Sequence, residues 1–220
     1  MFYSPDALPS FIFPDVSLSQ LSLKNPPKLG FMASGSGTNF AAIAESIQSN
    51  ELNAQIEVLI YNNPKAKVQE QAEKYQIPRV LINHRDFASR EALDEAIVRT
   101  FKEYGVEWII MAGWMRIITP VLLNAFAERV INIHPSLLPS FRGIRAIEQA
   151  LAAGVKVTGC TVHFASLEVD SGPIIAQAVV PVLPNDTAET LHARIQIQEH
   201  KIFPMAIAIA AQRAEISASS

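Results

Sequence analysis

At 220 residues, with 49% apolar and 18% charged side chains, the chain has the balance of a globular protein able to bury a sizeable core. Its 18 basic and 21 acidic side chains leave a net charge of −3, which argues against a nucleic-acid polyanion as partner. The single cysteine, Cys160, excludes an internal disulfide and a cysteine-rich metal site, and no run approaches the ~18 consecutive apolar residues of a membrane span.

Residues 1–27 lack a basic start followed by an unbroken apolar stretch, because Asp6, Pro9, Pro14 and Asp15 interrupt it. They read as a loosely ordered extension rather than a signal peptide, with a single domain over 28–220 and a cytoplasmic location. From Lys28 short apolar runs alternate with longer amphipathic ones. "KLGFMAS" predicts a strand, "SGSG" a glycine loop and "TNFAAIAESIQS" a helix. "AQIEVLIYN" and "PRVLIN" predict strands flanking the helix "KAKVQEQAEKYQI". "SREALDEAIVRTFKEYG" predicts a long helix with Ser89 as N-cap and Gly105 past its end. "VEWIIMAG" and "RVINIH" read as buried strands, followed by the helix "AIEQALAAG". "KVTGCTVHFAS" and "PIIAQAVVPV", joined by "LEVDSG", are close enough to pair antiparallel, and a last helix runs from about Thr187 to Ala214. This order predicts an α/β fold with a doubly wound, mostly parallel sheet and helices on both faces. Ligands of such sheets bind at the carboxyl ends of the strands, so the loops after "FMAS", "IIMAG" and "VINI" should converge on one crevice.

Three features could carry chemistry. In "SGSGTN", Gly35 and Gly37 allow close backbone approach and the helix start offers free N–H groups, which suits a phosphate; the alternative is a tight turn capped by Thr38 or Asn39. Asn132 and His134 lie two apart in a strand and therefore face the same side. Their N–H groups could stabilise an oxyanion; equally, His134 could cap the loop "PSLLP" from inside. Asp170, on the turn held by Gly172 and Pro173, is either a turn former or, if folded against His134, a partner for the imidazolium. His163 could form a further wall of that site. The spacing of His134, His163 and Asp170 does not match a metal motif, so no metal is expected. Cys160, in an apolar run, reads as a core residue, and no G-x-S-x-G is present. An oxyanion site beside a phosphate cradle suggests acyl transfer to a phosphorylated acceptor that carries its own nucleophile.

"NIHPSLLP" with "DSGPIIAQ" downstream, "ASGSGTN" near the start and "MAGWMRII" between them resembles the phosphoribosylglycinamide formyltransferases, folate-dependent enzymes of de novo purine (IMP) synthesis. The likeness runs from about Lys28 to Ala214. It implies transfer of a formyl group from the cosubstrate 10-formyltetrahydrofolate to the amine of phosphoribosylglycinamide, with Asn132, His134 and Asp170 as the catalytic residues. It further implies substrate contacts at Gly37, Thr38, Asn39, Gln196, Ile197, Gln198 and Glu199. Folate contacts are implied at Arg90, at Met115, Arg116, Ile117 and Ile118, at Asn132, and at Ser166, Leu167, Glu168, Val169 and Asp170. Small-molecule partners, no nucleic acid, no membrane, and a monomer or homodimer complete the expectation. One departure is visible: Arg142 stands where the family has proline and Arg145 where it has histidine, so "SFRG" resembles the "WRG" of methionyl-tRNA formyltransferases. That enzyme and the formyltetrahydrofolate hydrolases share the catalytic motif, but each is expected to need a further domain. A phosphoribosyl-ligand-binding module would have no use for Asn132, His134 and Asp170 together.

Overall fold

The computed structural model describes residues 11–218. In chain order the elements are β1 (Phe11–Phe13), β2 (Lys28–Ala33), α1 (Thr38–Gln48), β3 (Gln55–Tyr61), α2 (Val68–Lys74), β4 (Arg79–Leu81) and α3 (Arg90–Glu103). There follow β5 (Trp108–Met111), α4 (Pro120–Ala125), β6 (Val130–His134), α5 (Ala146–Ala153), β7 (Val157–Phe164), β8 (Ile174–Pro181) and α6 (Ala188–Ala218). The strands form one sheet in the order β1-β8-β7-β6-β5-β2-β3-β4.

Alternation along the central strands explains why both faces are covered. On β2, Leu29, Phe31 and Ala33 pack with residues of α1, α2, α5 and α6, while Met32 packs on the other face with Leu93, Ile97 and Phe101 of α3. A strand buried on both sides cannot afford polar positions, which is why β5 reads as the continuous run Trp-Ile-Ile-Met. β2 pairs in parallel with β3 and β5, β3 with β4, and β5 with β6. β7 runs antiparallel to β6 and to β8, so the expected antiparallel pair is present on a mostly parallel sheet. The chain moves outward from β2 to β3 and β4, then returns to the opposite side of β2 for β5. The strand order therefore reverses between β2 and β5, and their carboxyl ends open a crevice there.

Residues 11–27 depart from the expected loose extension. β1 adds an antiparallel edge strand to β8, with Phe11 opposite Val179 and Phe13 opposite Gln177. A 3-10 turn follows at Leu18–Gln20, and the backbone N–H groups of Lys24 and Asn25 donate to the Glu215 carboxylate at the end of α6. The physical reason is that Ile12, Val16, Leu18, Leu21 and Leu23 pack against the core, a spacing too irregular to signal a helix or a long strand. Residues 1–10 of the expected extension lie outside the described residues. α4 was also not expected, although Thr119 as N-cap and Pro120 at its first position form an ordinary helix start.

Candidate active site

A cleft of about 570 Å³ lies at the carboxyl ends of β2, β5 and β6. Three loops line it: Ser34 to Asn39 after β2, Ala112 to Ile118 after β5, and Pro135 with Gly143 to Ala146 after β6. The turn between β7 and β8 and one face of α6 close the remaining sides.

The glycine loop expected to cradle a phosphate leads into α1. Gly37, at φ 78°, is the N-cap and offers no side chain to the helix's first N–H groups. A Cβ at Gly37 would run into Val68, so glycine serves both the left-handed turn and the close approach. Thr38 and Asn39 are turned to α6 instead of capping. The Thr38 hydroxyl accepts from Gln196 Nε2 at 2.8 Å, and Asn39 Nδ2 donates to Glu199 Oε2 at 2.9 Å. Glu199 is buried, and burial pushes its carboxyl above the usual range, against the pull of Asn39 and the nearby charge of His192. Asn39 Oδ1 is buried with no protein partner. Ile197 and Gln198, expected at the substrate, do not line the cleft: a step of about 100° per helical residue turns them away from the stripe holding His192, Gln196 and Glu199.

Asn132 and His134 face the cleft together from β6. β7 pairs alongside, placing His163 opposite Asn132. The turn after β7 then swings Asp170, at φ 53°, against all three side chains. His134 Nδ1 is 3.2 Å from Asp170 Oδ2, and His134 Nε2 is 2.8 Å from the Phe141 carbonyl oxygen. With an acceptor at each nitrogen, only the doubly protonated ring donates to both. Asn132 Nδ2 is 3.1 Å from His163 Nε2 and 3.5 Å from Asp170 Oδ1. His163 Nδ1 lies 2.9 Å from the Phe164 carbonyl oxygen, and its Nε2 lies 3.7 Å from Asp170 Oδ1, so the ring bridges the backbone and the carboxylate. Gly143 N–H donates to Asp170 Oδ2 at 2.8 Å. Burial alone would raise the Asp170 carboxyl; the His163 imidazole, the Gly143 N–H and the charge of His134 together hold it below the usual carboxylate range.

The three residues thus meet, with their donors already occupied. A carbonyl oxygen entering the cleft reaches His134 or Asn132 only by replacing an internal acceptor, such as the Phe141 carbonyl. Backbone groups of Phe141 and Gly143 are accordingly part of the site, although neither was singled out in the sequence.

Among the expected folate residues, Met115, Arg116, Ile117, Ile118, Ser166, Leu167, Val169 and Asp170 line the cleft. Glu168 does not line it; its carboxylate pairs with Arg142 at 2.9 Å, joining the loop after β6 to the β7–β8 turn. Arg90 is exposed at the first turn of α3 and also lies outside the lining. Arg145 lines the cleft in a left-handed conformation, its guanidinium 3.8 Å from Glu148. Trp114 and His192 line the cleft without having been singled out in the sequence. Among the described residues no group of three or more His, Cys, Asp or Glu side chains is placed to hold a metal ion, and no helix is long and apolar enough to cross a membrane.

The profile of the family described as formyl transferase matches residues 27–207. The chain is 42% identical over 180 residues to the phosphoribosylglycinamide formyltransferase of Bacillus subtilis, covering 82% of this chain and 92% of that protein. It is 41% identical over 188 residues to the human trifunctional purine biosynthetic protein adenosine-3, covering 86% of this chain but spanning only 19% of that longer protein. The crystal structure of glycinamide ribonucleotide transformylase 1 from Symbiobacterium toebii superposes with a TM-score of 0.84 at 42% identity, over 85% of this chain and 88% of that one. With a matching profile over most of its length and a matching fold, the chain belongs to the formyl transferase family, alongside the phosphoribosylglycinamide formyltransferases.

Proposed function

We propose that the protein transfers the formyl group of 10-formyltetrahydrofolate to the amine of phosphoribosylglycinamide. The observation that carries this reading is the sharing of one cleft by an uncapped helix start and the cluster of Asn132, His134 and Asp170. An uncapped helix start favours a phosphate, and the cluster favours a developing oxyanion. The exposed apolar side chains of Met115, Ile117, Leu167 and Val169 suit the flat ring system of a folate on the cleft's other side.

The substrate amine attacks the formyl carbon, and the carbonyl electrons move onto oxygen. Asn132 Nδ2 and protonated His134 donate to that oxyanion after giving up internal acceptors. Asp170 keeps the imidazole oriented and charged. As the oxyanion collapses, the bond from carbon to the folate N10 breaks, and the proton lost by the amine passes to N10, so no covalent enzyme adduct forms. Gln196 and Glu199, held by Thr38 and Asn39, meet the ribose or glycinamide portion; Arg90 reaches the carboxylate tail of the folate.

The test is an assay of purified protein with 10-formyltetrahydrofolate, with and without phosphoribosylglycinamide, following absorbance of the released folate. Turnover that depends on the acceptor is expected. Equal formation of free folate without acceptor would overturn the reading in favour of a hydrolase.

A further inference from the structure

Between β5 and α4 the chain runs from Ala112 to Thr119 without helix or strand, yet supplies a whole wall of the cleft. Such a segment holds its shape only through its anchors. At its start, Ala112 N–H donates to Met32 O at 2.9 Å, Gly113 O accepts from Ser34 N–H at 3.1 Å, and Met115 N–H donates to the Ser34 hydroxyl at 3.0 Å. At its end, Thr119 N–H donates to Asp94 Oδ2 at 2.6 Å. Between these anchors Met115 and Ile117, 70% and 48% exposed, project into the cleft, while Trp114 and Ile118 form the buried base of the same wall.

Asp94 lies on α3 and is only 1% exposed, on a helix whose Leu93, Ile97 and Phe101 are also buried. Burial raises its carboxyl, the Thr119 backbone and hydroxyl pull it back, and Glu91 opposes them. A carboxylate in such surroundings destabilises the fold unless its hydrogen bond is needed, and an apolar residue would fill the space better. Thr119 shows the need. Its hydroxyl is engaged in capping α4 through Val121 N–H at 3.3 Å, while its own N–H lies outside the helix and requires a buried acceptor. Arg90 stands four residues before Asp94, one helical turn earlier on the same stripe of α3. The stripe that reaches Thr119 therefore also carries Arg90, at the first position of α3.

We propose that Asp94 is a positioning residue for folate binding: through Thr119 it sets the reach of Met115 to Ile118 and ties the first turn of α3, with Arg90, to the same rim. This rests on the reading of that segment as the folate wall. The test compares wild type, Asp94→Ala and Asp94→Asn by KM for each substrate, by tryptophan fluorescence titration with tetrahydrofolate, and by thermal unfolding. Trp114 in the cleft supplies the fluorescence signal. Losing one charge-assisted hydrogen bond predicts about a tenfold rise in folate KM and in the tetrahydrofolate dissociation constant for Asp94→Ala, with the KM for phosphoribosylglycinamide within about twofold. Asp94→Asn keeps an acceptor oxygen and is expected to recover most of this, to within about threefold of wild type. A well-folded Asp94→Ala protein with unchanged folate KM, or with both KM values raised alike, overturns the proposal. If Asp94→Ala loses its cooperative melt, Asp94→Asn decides: a folate-only rise supports the proposal, and no rise or an equal rise in both KM values overturns it. Wild-type protein that gives no response to tetrahydrofolate refutes the folate wall itself, whereas equal responses from wild type and Asp94→Ala refute only the role of Asp94.

Discussion

His134 shows how few degrees of freedom a site side chain retains in this cleft. It is buried, with Asp170 at one ring nitrogen and the Phe141 carbonyl at the other. Asp170→Asn keeps the size of the side chain but removes the charge that favours the imidazolium. Turnover is expected to fall about a hundredfold to a thousandfold, with folate binding within a few-fold of wild type, measured by steady-state kinetics and titration. Stability should respond as well. Because the folded carboxyl of Asp170 sits below its unfolded value, its contribution is fully present above the unfolded pKa and is lost as pH falls through the folded one. The asparagine variant should therefore lose a smaller share of its urea midpoint on acidification. At this scale the sequence was legible wherever side-chain chemistry and period coincide, as for Asn132 and His134 two apart on a strand. It was not legible for the Phe141 carbonyl and the Gly143 N–H, since backbone groups leave no residue-type signature. Ile197, Gln198 and Glu168 lie outside the cleft lining for another reason: a contiguous stretch was assigned where helix phase or loop direction turns only some residues to the cleft.

Among elements, the β7–β8 turn decides whether the site exists at all, because it alone delivers Asp170. Gly172 sits so close to Phe164 that an added Cβ would meet the Phe164 carbonyl oxygen, a backbone atom with no side-chain freedom to yield. Gly172→Ala should therefore displace the turn, costing about 2–4 kcal/mol of stability by denaturant titration and most of the activity. The front half of α6 has a comparable role in closing the cleft. Its stripe of Gln196 and Glu199 meets α1 through Thr38 and Asn39, so side chains 158 and 160 residues apart in sequence share one wall. The alternating strand and helix pattern made most elements readable. α4 was not among them because it spans only Pro120–Ala125, too short to show a 3.6-residue period.

For the whole molecule, the sheet has to end somewhere, and on the β8 side it ends on β1. Removing residues 1–27 would strip β8 of its outer partner and uncover an edge whose neighbouring core includes Ala176, Ala178 and Val180. The truncated protein is expected to melt several degrees lower and to self-associate, seen as a rising sedimentation coefficient with concentration, while the cleft chemistry, built on β2, β5, β6 and β7, persists. The central architecture was legible because both faces of a parallel sheet must be apolar, and the crevice followed from the strand order. The edge was not, because three residues of strand carry too little pattern to distinguish pairing from coil.

The clasp between the beginning and end of the described chain also bears on the order of folding. Lys24 and Asn25 reach Glu215, and Gln212 reaches the Ser22 carbonyl, across about 190 positions of sequence. Closing so long a loop is entropically expensive until the intervening sheet has drawn the two ends together. These contacts are therefore among the last to form and the first to open. Amide protons of residues 22–25 should exchange with solvent well before those of β2 and β5, so the molecule can loosen at its seam many times over while its catalytic centre stays shut.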